Sequence, residues 1–241
     1  FTDEPQYGRY MIPYTFALEE EFHRRYGYSA LDRLALLFVD AEGAESFRYD
    51  FYCLVNDMMM HNFMEPIHDW CAAHNCELTG HMMLEDDLYS QMLATAGVMP
   101  AYEYFQFPGI DWLGRRVDSP LTPKQLDSAA MQLGKSKKLT ETYACCGWNL
   151  SFDEMRWILG WQVVNGVNVL CPHLEGYTIR GLRKRDHPPG MFIQQPWYDK
   201  YHYFMDYGAR MAAYMSDGEP SIDVLMLHPM RSAYLVYDTK N

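Results

Sequence analysis

Two glutamates are the residues of this chain best suited to do chemistry. Glu4 lies in "FTDEP" and Glu141 in "LTETY", each at the end of a short β-favouring run. A carboxylate at a buried strand end costs free energy unless it is paired, hydrogen-bonded or used. One such residue reads equally well as a salt-bridged rim carboxylate. Two on separate strands form the arrangement that glycosidic bond cleavage requires. One carboxyl protonates the leaving oxygen while the other activates water or attacks carbon. Their separation then sets the stereochemistry, about 5–5.5 Å for retention and about 6.5–9.5 Å for inversion. One carboxyl is expected to be desolvated and protonated, the other held ionised by donors. Asp3 beside Glu4, and Tyr143 and Trp148 after Glu141, would each push a carboxyl upward, so the acid stays unassigned between the two.

Further polar groups surround this pair. His81 in "TGHMMLEDD" is placed to bond a hydroxyl-rich substrate or a neighbouring carboxylate. Glu85 follows four residues later, on the same face if a helix starts there, and carboxylates suit hard cations. The plainer reading is that Glu85, Asp86 and Asp87 form a solvated acidic loop and helix start. Tyr102, Tyr104, Phe105, Trp112, Tyr143 and Trp148 fall in or just after strand ends, where aromatic faces can pack on the apolar faces of sugar rings. Ordinary core packing accounts for part of this set. Trp112 and Trp148 are expected in loops lining a pocket, with Asp111 of "PGID" beside Trp112 to bind substrate hydroxyls. His173 ends a further strand. Tyr177 and the basic group Arg180, Arg183, Lys184 and Arg185 follow, the basic residues read as balancing nearby acids. No Cys–His spacing matches a zinc site and no G-x-S-x-G elbow is present, so His228 and Cys171 carry no functional reading.

The elements that would position these groups alternate short strand and long helix. Strands are expected at "FTDE", "CELTGH", "AYEYFQF" (closed by Pro108-Gly109), "KLTETYACC", "VNVLCPH" and "IDVLMLHP". Helices are expected from Phe16, after Ser29, over 47–74 with a kink at Pro66, from Thr122 as N-cap, from the Ser151/Glu154 capping box, and at the end of "HPPGMFIQQPWYDKYHYFMDYGARMAAYM". Such alternation implies a parallel sheet. No glycine-rich phosphate loop follows any strand, which weakens the nucleotide-binding folds. Polar residues end the strands at Asp3-Glu4, His81, Gln106, Glu141 and His173, as at the mouth of a (β/α)8 barrel. Five strands cannot close eight. The fold class expected is therefore α/β, the second half of a TIM-type barrel over residues 1–219, with residues 220–241 opening a following domain.

Composition narrows the partners. The chain has 241 residues, 49% hydrophobic, which suffices for a large core, and a formal net charge of −12, which disfavours nucleic acid and anionic membrane. No apolar run approaches the roughly 20 residues of a membrane span. The six cysteines show no scaffold spacing and read as reduced core thiols, favouring a cytoplasmic setting. The chain begins "FTDEP", so a leader peptide could not be seen and an excerpt of a longer protein is expected. Oligomeric state is left open.

The segments "FTDEP", "YGY", "TGH…E", "GID", "TETY…GWN", "VLCPHLEGYT", "RGLRKRDHPP" and "QPW", in that order, resemble bacterial glycoside hydrolases. The group most similar is the large α-L-rhamnosidase-like proteins of family 106. The resemblance implies a catalytic (β/α)8 barrel, with "FTDEP", "LTGH", "YEYFQF", "TETY" and "VLCPH" as its fourth to eighth strands. It places Glu4 and Glu141 at strand ends that carry catalytic carboxylates, and it implies inversion, no organic cofactor, and calcium with ligands that do not match residue by residue. Cys145-Cys146 depart from it and leave the sugar open. Two other readings remain: a non-catalytic sugar-binding barrel, and a metal-dependent hydrolase of another class using His81, Glu85 and His173.

Overall fold

The computed structural model describes residues 1–8, 11–218 and 220–238. The chain divides into two compact units. One takes in Thr2–Leu78, Met82–Tyr104 and the chain from Ile222 onward, and is mainly helical. The other takes in Phe1, Thr79–His81 and Phe105–Ser221, and carries a parallel sheet with helices. The α/β class read from the alternation therefore holds.

The helical unit begins with a two-residue strand, β1 (Thr2–Asp3), and continues through α1 (Phe16–Tyr26), α2 (Ala44–Met59), α3 (Glu65–Ala73) and α4 (Leu88–Ala94). Leu18 and Phe22 on one face of α1 meet Phe47, Phe51 and Leu54 of α2, so helical spacing alone explains this core. The segment read as one helix kinked at Pro66 is instead interrupted by a π turn, Met60–Met64, just before that proline. Proline has no N–H to close an i→i−4 bond, and the wider turn absorbs the defect. Asn75, at φ 55°, ends α3 in the left-handed region as expected, with the Cys76 N–H reaching back to the Cys71 carbonyl. Residues 222–229 form no strand among the described residues. They run without regular structure, with Val224, Leu225, Met226 and Leu227 exposed, into α8 (Met230–Val236), which packs on α2. Strand propensity yields a strand only where a partner edge supplies hydrogen bonds. The domain boundary expected at residue 219 falls on a residue outside the described set.

In the sheet unit, β2 (Thr79–His81), β3 (Phe107–Trp112), β4 (Leu139–Thr142) and β5 (Val169–Pro172) lie side by side in sequence order. Each neighbouring pair is parallel. α5 (Leu121–Gln132) links β3 to β4, α6 (Phe152–Val164) links β4 to β5, and α7 (Tyr201–Ser216) follows. The Ser151/Glu154 capping box forms as read, whereas α5 starts two residues early, behind Pro120 rather than Thr122.

The third strand is displaced from its expected place. The composition predicts a strand over "AYEYFQF" that ends at Pro108-Gly109. Met99–Glu103 instead form a 3₁₀ turn, and the strand is "FPGIDW", with proline and glycine inside it. Gly109 is required there, since a Cβ would stand 2.8 Å from the Gly80 carbonyl oxygen and 2.9 Å from Leu139 Cδ2. Gln106 therefore precedes the strand rather than ending it. Asp111 and Trp112, expected in a loop, occupy its C-terminal end.

Candidate active site

Strand parity decides which side chains converge. In β4 the residues alternate between faces, so Thr140 and Thr142 share one face and Glu141 takes the other. The threonines face α6 and are tied to it through Gln162, whose amide Nε2 donates to Thr142 Oγ1 at 3.0 Å and whose Oε1 accepts from the Thr140 hydroxyl. All three are fully buried. This network fixes β4 on its helix and leaves Glu141 directed away from it.

The register carries the same parity to the neighbours. Asp111 pairs with Glu141, and Glu141 with Cys171, so the three share a face. His81, at the end of β2, reaches this group: its Nε2 lies 2.8 Å from Glu141 Oε2. The His81 side chain is 1% exposed and that of Glu141 16%. Burial by itself would raise the Glu141 carboxyl. The hydrogen bond from His81, the charge of His81 and then the charge of His173 act the other way and together win, leaving the carboxyl below its ordinary value. The expectation that Tyr143 and Trp148 would raise it is therefore overturned. Cys171 on β5 feels the same site, its thiol pushed up by burial and then by the Glu141 charge.

The aromatic residues mostly go elsewhere. Trp112 pairs with Thr142 in the register and shares its helix-facing side. Its ring packs on Trp161 of α6 at 4.5 Å, and its indole N–H donates to the Arg116 carbonyl. Tyr143 is buried in the same apolar cluster, its hydroxyl donating to the Met155 carbonyl of α6 at 3.1 Å. Both therefore pack among the helices, and a shared sugar platform with His81 does not form from them. Tyr104 lies in the helical unit, half-buried after the 3₁₀ turn, edge-on to His68. Trp148 is exposed, on the loop after β4, with its ring against Gly190.

Glu85 belongs to the helical unit and is buried, not solvated. Its Oε1 accepts from the Met82 N–H and from the Tyr102 hydroxyl, each at 3.2 Å. Burial and then the Glu85 charge hold the Tyr102 hydroxyl well above its usual range. The carboxylate thus braces the turn after β2. Asp87 caps α4 through the Ser90 N–H. Glu4, half-buried, follows β1 at φ 50° rather than ending a strand, and Asp3, the last residue of β1, is exposed. His173 follows β5, with its N–H on the Thr142 carbonyl at 2.9 Å. Tyr177 and Leu182 are exposed, and Arg183, Lys184 and Arg185 sit in an exposed 3₁₀ turn.

One pair was missed. Cys145 Sγ lies 3.1 Å from His187 Nδ1, joining the loop after β4 to the loop after β5. The adjacent cysteines were visible in the sequence, but His187 stands 42 residues away and no spacing rule links them.

Two imidazoles and a thiol-bearing strand flank the Glu141 carboxylate. None of the described helices is long and apolar enough to cross a membrane.

No family model and no curated protein matches the sequence. Among solved structures, a rhamnosidase from Novosphingobium sp. PP1Y is similar, with a TM-score of 0.64 at 17% identity over 85% of this chain. The chain spans only 21% of that protein's length. At this identity the likeness concerns the fold.

Proposed function

We propose that this chain is part of the catalytic domain of a glycoside hydrolase, the later strands of a (β/α)8 barrel, with Glu141 as the ionised carboxylate of its acid/base pair. The observation that carries the reading is the Glu141 carboxylate at a parallel strand end, lowered by His81 and His173 despite its burial. An ionised carboxylate can take a proton from water or attack carbon, but it cannot protonate a leaving oxygen. Glu141 is therefore the base or nucleophile. The sequence leaves the acid open between the two glutamates, and with Glu141 ionised the acid role falls to Glu4 by elimination. His81 is a positioning residue that holds Glu141 ionised and oriented, and Asp111 on the same face is suited to substrate hydroxyls. Supporting the barrel, the strands run in sequence order without the reversal of a doubly wound sheet. The similar fold of a rhamnosidase makes an α-L-rhamnoside the first substrate to try, with inversion expected from the sequence resemblance.

The test is turnover of a panel of aryl glycosides by the full-length protein, with the first-formed anomer read by proton NMR. Glu141→Gln should lower kcat by at least about 10²–10⁴-fold, the span of a positioned acid or base, with the circular dichroism spectrum unchanged. Near-normal turnover in that variant refutes the assignment. Sugar binding without turnover by the wild type would favour a binding barrel instead.

A further inference from the structure

The Cys145–His187 pair has no part in the glycosidase reading, and its geometry is specific. Sγ and Nδ1 stand 3.1 Å apart on two exposed residues from different loops. The loops are fastened beside the pair: the Gly147 N–H donates to the Pro188 carbonyl at 3.0 Å, and the Trp148 ring lies against Gly190. Arg115 holds the first loop from below, donating to the Cys146 carbonyl and to Glu154. The two donor atoms are thus set by the scaffold rather than by chance side-chain reach.

A cysteine beside a histidine suggests either a nucleophile or a metal ligand pair. A nucleophile needs a stabilised thiolate. Here burial, and then the Asp111 carboxylate, push the Cys145 thiol upward. That anion works against a bare thiolate but in favour of a bound dication. The distance agrees. A tetrahedral cation holding sulfur at about 2.3 Å and imidazole nitrogen at about 2.0–2.1 Å separates the two donors by about 3.5 Å. The observed spacing is short of that by only about 0.4 Å. Thiolate with imidazole selects zinc-class cations over calcium or magnesium.

We propose that Cys145 and His187 form a two-residue binding site for a soft divalent cation of the zinc class, with water completing the coordination. Binding forms the metal–sulfur and metal–nitrogen bonds and releases the thiol proton to solvent, so the site weakens as pH falls. It stands whether or not the protein cleaves glycosides.

The experiment titrates chelator-treated full-length protein with Cd²⁺ alone and follows thiolate-to-metal charge-transfer absorption. Cys145→Ser should remove one equivalent of signal. His187→Ala should weaken that equivalent by at least about tenfold, since even partners outside the ligand shell cost about 10–100-fold. Cys171→Ser should leave it intact. Independently of any variant, Cd²⁺ should protect Cys145 from iodoacetamide, read by peptide mass spectrometry. An unchanged signal in Cys145→Ser, or alkylation of Cys145 at the same rate with and without Cd²⁺, overturns the proposal.

Discussion

Replacing His81 by leucine tests the link between geometry and chemistry at Glu141. The substitution fills the fully buried position with an apolar side chain and removes the donor 2.8 Å from Glu141 Oε2. A hydrogen bond to a charged group contributes about 1.5–3 kcal/mol. Little of this is lost to solvent, because the carboxylate is only 16% exposed. At 1.36 kcal/mol per pKa unit, the Glu141 carboxyl should rise by about 1–2 units. Burial, the largest influence on it, would then be opposed only by His173. The sign follows from linkage. In the wild type the folded value lies below the unfolded one, so the ionised carboxylate stabilises the fold at pH above the unfolded value, and this is lost as pH falls through the folded value. A working base is lost over the same acid range. The assay is the pH dependence of kcat/KM, whose acid limb reports the free enzyme. In His81→Leu that limb should move to higher pH by about 1–2 units, and His81→Gln, which keeps a neutral donor, should move it less. An acid limb that stays in place, with activity retained, would refute the claim that His81 holds Glu141 ionised.

Other expectations concern the frame. Gly109→Ala places a methyl against the Gly80 backbone, which cannot yield as a side chain can, and should cost about 1–3 kcal/mol in denaturant or thermal unfolding. Tyr143→Phe leaves the ring in its cluster but removes the hydroxyl that bonds the Met155 carbonyl, so it should cost about 1 kcal/mol of stability with KM unchanged. A several-fold rise in KM would return Tyr143 to the substrate. Ser151→Ala breaks the capping box of α6 and should lower the unfolding free energy by about 1 kcal/mol.

Much of the frame was legible because it is local. Helix ends announce themselves through short-range hydrogen bonds: Ser151 opens α6 and Asn75 closes α3 where their chemistry says they should. What was not legible is non-local. Pro108-Gly109 has the composition of a turn, and only the approach of the Gly80 backbone shows why a strand needs that glycine. Residues 222–229 have the composition of a strand and lack one among the described residues, because pairing is a property of two segments. Pro66 signalled a helix defect correctly, but the choice between a kink and a π turn is made by packing.

The site follows the same division, with parity as the deciding element. Asp111 and Trp112 are adjacent in sequence and were assigned together to one pocket. Once β3 extends to Trp112, that grouping is geometrically excluded, since adjacent strand residues face opposite sides. The carboxylate goes with Glu141, and the indole goes to Trp161 under α6. The same rule explains why a carboxylate is tolerated at Glu141 at all. Thr140 and Thr142 spend their hydroxyls on Gln162, so α6 holds the strand without any help from Glu141. The glutamate is left as the one polar residue of β4 whose side chain is not used to build the sheet. Its burial cost is met by His81, which arrives from β2, 60 residues earlier. A carboxylate placed by one network and ionised by another can exchange a proton without disturbing its own support, and that separation is the property a catalytic base requires.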